Sequence, residues 1–294
     1  MEKKVTVKDV AREAGVSVAT VSYIMNNRSD QKISSQTRKK VLQIANLLNY
    51  RPSHAAKSLA TGRNNIIGVA YHLNTDTPSR NLEITSFVNM LIERMNRMQY
   101  DVLFMPAKAV EDNLPINQNI DAIIAIDLSH EQFKNIADNY LVPIINVDMI
   151  VEDDLFYQIY SDFPSLLTLA KKELEAEDCY LILDEFANEH YLRYITNTFP
   201  SQRILTLPDC SKSRLATLKD KPVIVIGTYL ALIVRPYIDE ENMVVISSSE
   251  TNHILSDNAK VIYNDISKKA NLTMNILLNA LDRNFDLAHD HKVL

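Results

Sequence analysis

The sequence predicts a small all-α helix-turn-helix headpiece followed by an α/β core of two doubly wound parallel-sheet lobes. Three observations lead to this fold class. The length of 294 residues exceeds one average domain, capped amphipathic helical segments fill residues 6–48, and from residue 65 onwards apolar strand-like runs alternate with helical stretches. The composition, 46% hydrophobic and 23% charged, allows the chain to bury a core.

Charge is distributed unevenly along the chain. The formal net charge is −6, but residues 1–63 hold 12 basic and 4 acidic residues, which gives +8. Residues 64–294 hold 19 basic and 33 acidic residues, which gives −14. A basic head on an acidic body is expected when only the head contacts nucleic-acid phosphates.

The composition also argues against several classes of protein. The sequence has neither a run of about 18 apolar residues nor an apolar leader, so we expect a soluble, cytoplasmic protein. Cys179 and Cys210 are too isolated for a disulfide framework or a metal motif, and we interpret both as buried thiols. With four glycines there is no Gly-rich phosphate loop, and no nucleophile–base arrangement stands out. We therefore expect no cofactor, no metal and no enzyme activity.

Two helices joined by a tight turn are predicted at the N-terminus. Thr6 to Asp9 is a capping-box pattern, so the first helix starts near Val7, and Gly15 ends it. Ser17 then caps the second helix. The inward apolar positions are Val10, Ala11 and Ala14, then Val21, Ile24 and Met25. Outward N-terminal residues of a recognition helix reach base edges. In this chain they are Val18, Ala19, Ser22 and Tyr23.

A third helix is predicted to begin at Ser34, with a cap that spans Ser34 to Thr37. Its apolar positions follow the i, i+3, i+4, i+7 spacing of a helix face. They are Val41, Ile44, Ala45 and Leu48. Three basic residues, Arg38, Lys39 and Lys40, lie in its first turns.

These motifs closely resemble the headpiece of the lactose-repressor (LacI/GalR) family of bacterial transcription regulators. The resemblance rests on Thr-Val-Lys-Asp-Val-Ala at 6–11, Ala-Gly-Val-Ser at 14–17 and Thr-Val-Ser at 20–22. It continues in the family's order through residues 37–38, 48–52, 55–60 and 67–69. A motif set over about the first 70 residues is far more specific than a lone helix-turn-helix pattern.

The resemblance implies that residues 53–60 form a hinge helix. A helix of about eight residues is too short to persist alone in water, so we expect it to fold only when two copies pack together on DNA. Leu59 matches the family's leucine that wedges into the central minor-groove step and kinks the duplex. An ordinary linker with an incidental leucine is the alternative. The predicted DNA contacts are Thr6, Lys8, Ser17, Val18, Ala19, Thr20, Ser22, Tyr23, Asn26, Ser34, Thr37, Arg38, Tyr50, Ser53, His54, Lys57 and Leu59.

We predict a helix-turn-helix domain at 1–52, a hinge helix and linker at 53–63, and a core at 64–294. The core divides into an N-terminal lobe mainly at 64–160, a C-terminal lobe mainly at 161–250, and a segment that crosses back around 255–282. The predicted strands are 66–71, 100–105, 121–126, 143–147, 180–183, 223–226 and 243–246. The clearest core helix carries on one face Ile84, Phe87, Leu91, Met95 and Met98.

The resemblance also implies a periplasmic-binding-protein-like core whose ligand lies between the lobes. In doubly wound sheets, ligands bind beyond the carboxyl ends of the strands. The predicted effector-binding residues are His72, Arg80, Asp127, Asp148, Tyr160, Arg193, Thr228 and Ser248. Asp148 matches a family position that often contacts the sugar; the alternative is that it only caps a strand end.

This chain departs from the family pattern at the groups that bind sugar hydroxyls. Gly227 and Thr228 replace the family's Asn-Asp pair, and Ser248 replaces the Asp that ends the next strand. The Arg-x-x-Gly-Phe signature is absent, with Arg193 as the nearest stand-in. A cleft without these groups rejects vicinal hydroxyls strongly, so a conventional sugar inducer is less expected here.

Two further stretches receive plain structural interpretations. Residues 152–154, Glu-Asp-Asp, are interpreted as a solvated loop rather than a metal site. Residues 289–291, His-Asp-His, are interpreted as part of a mobile C-terminus.

The sequence therefore predicts a sequence-specific DNA-binding transcription regulator. We expect a repressor that binds a pseudo-palindromic operator as a homodimer, with its affinity controlled by a ligand in the core cleft. One alternative is a regulator whose core is a dimerisation and protein-docking platform without a sugar effector. A second alternative is an enzyme that carries a DNA-binding head. No membrane contact is expected.

Overall fold

A computed structural model of the protein describes residues 5–25, 31–50, 62–106, 119–207, 210–248, 255–256, 259–283 and 290–293. The chain divides between Asn64 and Asn65 into two compact units. The first unit is the headpiece and the second is the core, and each is described by itself.

The described part of the headpiece is helical. Its helices are α1 (Val7–Ala14), α2 (Val18–Met25) and α3 (Ser35–Leu47). Their inward faces form one apolar cluster, in which Val10, Val21 and Val41 are fully buried. Ile44, Leu48 and Tyr50 pack against this cluster. Helices of this length are marginal alone in water, so the shared cluster stabilises all of them.

The N-terminal lobe of the core is built on a parallel sheet. In chain order its strands are β1 (Ile66–Tyr71), β2 (Asp101–Pro106), β3 (Ala122–Ile126), β4 (Ile144–Val147), β5 (Tyr157–Ser161) and β11 (Asp290–Val293). Their order across the sheet is β11-β5-β4-β3-β1-β2. The helices of this lobe are α4 (Pro78–Arg97), α5 (His130–Asn139) and α10 (Ile266–Leu281).

The C-terminal lobe contains a second parallel sheet. Its strands are β6 (Tyr180–Leu183), β7 (Ile204–Thr206), β8 (Val223–Ile226), β9 (Met243–Ser247) and β10 (Lys260–Tyr263), with spatial order β10-β9-β8-β6-β7. Its helices are α6 (Phe163–Glu173), α7 (Glu189–Thr196), α8 (Lys212–Ala216) and α9 (Thr228–Val234). Short 3-10 turns lie at Ser201–Arg203 and Glu240–Asn242. Every residue of β3, β8 and β9 is buried, as expected for strands covered on both faces.

The predicted fold class is confirmed: a helical headpiece precedes two parallel-sheet lobes. Each of the predicted strands is present with ends within one residue of the expectation. The sequence missed β5, β7, β10 and β11. These are edge or near-edge strands, or very short, and they lack the continuous apolar run that marks a strand buried on both faces.

Three smaller predictions were wrong. Met98 does not continue the buried face of α4 as predicted. The helix ends at Arg97, so Met98 lies just past its end and is 46% exposed. Cys210 is only half-buried. Residues 290–293 are not a mobile tail but the strand β11, which pairs in parallel with β5; His289 lies outside the described residues. Residues 152–154 are exposed, as expected of a solvated loop. No helix among the described residues is long and apolar enough to cross a membrane.

Candidate functional site

The turn between α1 and α2 has the geometry of a helix-turn-helix corner. Gly15 adopts φ 66°, a left-handed conformation that glycine adopts without steric cost. The Val16 backbone N–H donates to the carbonyl of Ala11 at 3.1 Å, which closes the end of α1. Ser17 then accepts a hydrogen bond from the Thr20 backbone N–H at 3.0 Å and caps α2.

This turn places the start of α2 on the surface of the headpiece. Ser17, Val18 and Ala19 are exposed, and the exposed fraction of Val18 is 42%. Thr20, Ser22 and Tyr23 are half-buried. Helix α2 carries no charged side chain, so it can read thymine methyl groups but cannot form the bidentate contacts that arginine makes with guanine.

A second group of predicted DNA contacts surrounds the first turns of α1 and α3. Asp9 accepts from the backbone N–H of Thr6 at 2.9 Å and fixes the start of α1, next to the exposed Lys8. Ser34 accepts from the Thr37 backbone N–H at 3.0 Å and caps α3. The positive charges at this helix start are Arg38, Lys39 and Lys40. Tyr50 is half-buried, and burial raises the pKa of its hydroxyl.

Several predicted DNA contacts lie outside the described residues. They are Asn26, Ser53, His54, Lys57 and Leu59. The predicted hinge helix at 53–60 falls in the same stretch, so its formation stays a prediction.

In the core, three of the predicted effector residues come together as an ion cluster. The Arg80 guanidinium donates from Nε to Oδ2 of Asp127 at 2.8 Å and from Nη2 to Oδ2 of Asp148 at 3.2 Å. Its Nη1 lies 3.4 Å from Oε2 of Glu83. Asp127 and Asp148 close the neighbouring strands β3 and β4, and both adopt left-handed backbone angles, φ 47° and 51°. Such angles outside glycine are concentrated at functional sites.

A lysine that the sequence reading missed completes this cluster. Lys269 on α10 is 3% exposed, and its Nζ lies 2.7 Å from Oδ1 of Asp148 and 3.2 Å from Oγ of Ser161. Ser161 in turn donates to Oδ1 of Asn264 at 2.8 Å. The sequence could have predicted this residue, because Lys269 falls on the buried face of α10 between Ile266 and Thr273. A lysine on an apolar stripe requires a buried partner.

Hydrogen bonds across the cleft join the two lobes around this cluster. The Arg80 backbone N–H donates to Oδ2 of Asp184 at 2.9 Å, and the Asn188 backbone N–H donates to Oδ1 of Asp127 at 3.1 Å. The Leu230 backbone N–H, at the start of α9, donates to Oγ of Ser79 at 3.3 Å. Asp184 closes β6 just as Asp127 closes β3, so the strand-end rule would have found it.

Gly227 explains one departure from the family pattern. It adopts φ 107°, and a Cβ atom at this position would lie 2.3 Å from Oγ of Ser79. The close approach of α4 from the other lobe therefore requires glycine, where the family has a larger amide residue.

The pKa values of the carboxyl groups in the cluster are shifted in different directions. Burial raises the pKa of Asp127 and of Asp184, and it raises the pKa of Glu83 against the opposing charges of Arg80 and Lys269. Burial acts in the same direction on Asp148, but Lys269 and Arg80 outweigh it and lower its pKa. Burial would lower the pKa of Arg80, but Asp127, Asp148 and Glu83 together raise it. Arg80 is thus a fixed positive charge.

The other predicted effector residues are dispersed. His72 lines a cavity of about 90 Å³ beside Arg80 and Asp127. Thr228 and Ser248 line a separate cavity of about 250 Å³ between α4 and α9. The two remaining predictions do not join either group: Tyr160 is buried in an aromatic cluster with Tyr191 and Tyr194, and Arg193 is exposed on α7. Neither side chain lines the cleft, because Tyr160 packs in the core and Arg193 faces solvent.

Comparison with known proteins supports what the headpiece geometry indicates. Residues 6–53 match the model of the family described as bacterial regulatory proteins, lacI family. The chain is 31% identical over 166 residues to catabolite control protein A of Staphylococcus epidermidis, covering 54% of this chain and 48% of that protein. It is 51% identical over 65 residues to the HTH-type transcriptional regulator GalS of Salmonella typhimurium, covering 22% and 18%.

Residues 6–53 of this chain therefore form a headpiece of the lacI type. The resemblance predicted from the headpiece motifs is therefore confirmed. The chain spans at most about half the length of the curated relatives it matches.

Solved structures of bacterial transcription regulators share the fold of this chain over most of its length. A lac repressor dimer bound to operator and the anti-inducer ONPF matches with a TM-score of 0.66 and 18% identity, over 99% of this chain and 96% of that chain. A periplasmic binding protein/LacI transcriptional regulator of Alkaliphilus metalliredigens, complexed with D-xylulofuranose, matches with a TM-score of 0.54 and 13% identity, over 78% and 95%. At these identities the likeness shows the fold, and the predicted periplasmic-binding-protein-like core is confirmed.

Proposed function

We propose that this protein is a sequence-specific transcriptional repressor of the LacI family that binds a pseudo-palindromic operator as a homodimer in the cytoplasm. The observation that carries the proposal is the α1–α2 corner, in which Gly15 and Ser17 place the start of α2 on the surface. Two such helices, one from each copy, would enter successive major grooves about 34–36 Å apart.

The charge distribution supports DNA as the partner of the headpiece. The first 63 residues carry +8, whereas the rest of the chain carries −14. Lys8 near the start of α1 and Arg38, Lys39 and Lys40 at the start of α3 would neutralise phosphates, while the uncharged α2 reads bases. The predicted contact residues, including those outside the described part of the chain, belong to this proposal.

Selection of bound DNA from a random pool by the full chain tests the proposal directly. We expect the enriched sites to share a motif with approximate two-fold symmetry, because a dimer presents the same helix twice. Enrichment of sequences with no shared motif would reject specific operator recognition.

Two exposed aliphatic residues of the headpiece provide a matched pair of variants. Val18 and Leu42 have exposed fractions of 42% and 47%, but Val18 starts α2 and Leu42 lies on α3, outside the predicted contacts. We expect Val18→Glu to lower affinity for the selected site by at least about tenfold, because a carboxylate at the base edges opposes DNA. Leu42→Glu adds the same charge and should have little effect. Fluorescence anisotropy at fixed salt measures both, and equal losses would place the DNA interface elsewhere.

For the core, the leading proposal is control of DNA affinity by a ligand in the cleft between the lobes. The ion cluster favours the second candidate, a dimerisation and protein-docking core without a sugar effector. Arg80, Asp127 and Asp148, three of the predicted ligand contacts, are already paired with one another. An enzyme with a DNA-binding head is the third candidate; the relatives found by comparison are named as regulators.

Thermal melting of the full chain against a metabolite panel separates these candidates. A sugar that raises the melting temperature progressively with its concentration would support the ligand-controlled core. If no sugar in the panel changes the melting temperature, the effector-free core is favoured. Turnover of a panel compound would instead support the enzyme.

A further inference from the structure

The guanidinium of Arg80 lies where a doubly wound fold usually holds its ligand. It contacts Asp127 and Asp148 at the carboxyl ends of β3 and β4, which are neighbours in the sheet. Phe186 of the C-terminal lobe covers its face, with Cζ 4.4 Å from the ring centroid. Carboxylates at the edges and an aromatic ring on the face are the groups that recognise a guanidinium.

The same residue connects the two lobes. Asp127 uses Oδ2 for Arg80 and Oδ1 for the backbone N–H of Asn188 in the C-terminal lobe. The main chain of Arg80 donates to Asp184 at the end of β6. The main chain of Arg80 therefore donates across the cleft directly, whereas its guanidinium is linked to the C-terminal lobe through Asp127 and through the ring of Phe186.

Little room remains for an external molecule beside Arg80. The cavities that Arg80 itself lines measure about 90 Å³ next to His72 and about 10 Å³ next to Asp184. The cavity of about 250 Å³ between α4 and α9 is lined by Glu83 but not by Arg80. Clefts that hold a small organic ligand usually measure roughly 300–1,000 Å³. The described side chains thus fill the position between the strand ends.

The charges around the guanidinium of Arg80 favour a cation at this position over a neutral molecule. Asp127, Asp148 and Asp184 are buried and Glu83 is partly buried, whereas Arg80 and Lys269 are the cations that the described residues place against them. Loss of Arg80 would leave Lys269 alone with four carboxyl groups. Buried carboxylates without a partner are costly, so the emptied position would favour a new cation over a neutral sugar.

We propose that the interlobe site is a guanidinium-binding site and that Arg80 occupies it as an intramolecular ligand. Arg80 holds the lobes in one arrangement without an external effector, and its removal opens the site to a free guanidinium from solution. Only the effect on operator affinity rests on the DNA-binding function proposed above; the occupancy of the site does not.

Chemical rescue of Arg80→Ala in the full chain tests this proposal. N-ethylguanidinium contains the two carbons and the guanidinium that the substitution removes. We expect Arg80→Ala to melt several degrees below wild type and millimolar N-ethylguanidinium to restore most of the loss, increasingly with its concentration. Ethylurea, which is similar in shape and neutral, should restore little, and wild type should not respond to either compound.

Arg97→Ala is the matched control, because Arg97 lies on the same helix but forms an exposed ion pair with Glu93. This variant should melt close to wild type and show no rescue. An unchanged melting temperature in Arg80→Ala, or equal responses to ethylurea and N-ethylguanidinium, would overturn the proposal.

Arg80→Lys covers the case in which Arg80→Ala does not fold. Lysine keeps one positive charge but cannot contact Asp127, Asp148 and Glu83 together. We expect this variant to fold, to melt below wild type, and not to respond to N-ethylguanidinium, because the site is still occupied. Melting at the wild-type temperature would show that the site is not specific for a guanidinium.

Operator binding by the same variant provides the second readout. If lobe arrangement is coupled to the headpieces, Arg80→Ala should lose about fivefold or more in operator affinity, and N-ethylguanidinium should restore it. Absence of operator binding by wild type would reject the proposed function, and the melting experiment would still decide the occupancy of the site. Rescue of melting with unchanged operator affinity would overturn the regulatory part alone.

Discussion

At the scale of single residues, the carboxyl groups around Arg80 contribute to the stability of the folded protein with opposite dependences on pH. A carboxyl group whose pKa is raised by folding binds its proton more tightly in the folded protein, as Glu83, Asp127 and Asp184 do. Such a group favours the folded state at low pH, and this contribution is lost as the pH rises through its folded pKa. Asp148 behaves oppositely, because its lowered pKa stabilises the folded state above the ordinary carboxyl range.

These signs predict a maximum of core stability at mildly acidic pH. We expect the melting temperature to rise as the pH falls from neutrality towards the ordinary carboxyl range, and to fall again below that range as Asp148 takes up a proton. Glu83→Gln should reduce the rise on the acidic side, because it removes one raised carboxyl group. The exposed Glu93 on the same helix provides the control Glu93→Gln, which should keep the wild-type profile. A melting temperature that only falls on acidification would contradict this account.

The sequence predicted the polar residues of the site better than their partners. Asp127 and Asp148 were identifiable because each directly follows a buried strand, and parallel strand ends share one edge of the sheet. Arg80 was also predicted, but as a ligand contact rather than as the group that fills the site. Its pairing with both aspartates depends on how α4 docks on the sheet, which the local sequence does not determine.

At the scale of elements, α10 shows how one helix combines packing and charge. Its buried face is apolar except for Thr273 and Lys269, and the ammonium of Lys269 reaches Asp148 and Ser161. The helix period predicts which face is buried, and therefore that Lys269 is inside. The identity of its partner could not be predicted, because Asp148 is 121 residues away in sequence and meets it only in the folded lobe.

Two adjacent lysines on α10 give a sharp test of this packing. We expect Lys269→Met to lower the free energy of unfolding by about 3 to 5 kcal/mol, because it leaves Asp148 buried with one partner fewer. Lys268→Met, on the exposed side of the same helix, should change it by at most about 0.5 kcal/mol. Urea unfolding followed by circular dichroism measures both. Similar losses in the two variants would mean that helix propensity, not the ion pair, sets the cost.

At the scale of the whole molecule, the proposed regulation would depend on joining a DNA-binding headpiece to a two-lobed core. The headpiece helices and the lobe architecture were predictable, because caps, apolar periods and alternating elements are local signals. Strands β5, β7, β10 and β11 were not predictable, since they are very short or lack a continuous apolar run. If the headpiece binds an operator as proposed, the uncharged start of α2, with Val18 and Ala19, leaves much of the specificity to helix spacing and DNA deformation.

Leu59, outside the described residues, carries the prediction for this scale. If it wedges into the minor groove as the family resemblance implies, Leu59→Ala should weaken binding to the selected operator far more than binding to random DNA. The dependence of affinity on salt should stay nearly unchanged, because no phosphate contact is lost. Titrations on both DNAs at several salt concentrations measure this. Equal losses on operator and random DNA would exclude a wedging role.

The position of α10 and β11 also bears on how the protein is made. Both elements belong to the N-terminal lobe, yet they follow the whole C-terminal lobe in the chain. The C-terminal lobe is one continuous segment and can close as soon as its last strand leaves the ribosome. The sheet of the N-terminal lobe keeps one edge, beside β5, unpaired until residues 290–293 have been synthesised. During synthesis, therefore, the lobe translated first is the lobe completed last, and Asp148 meets Lys269 only then.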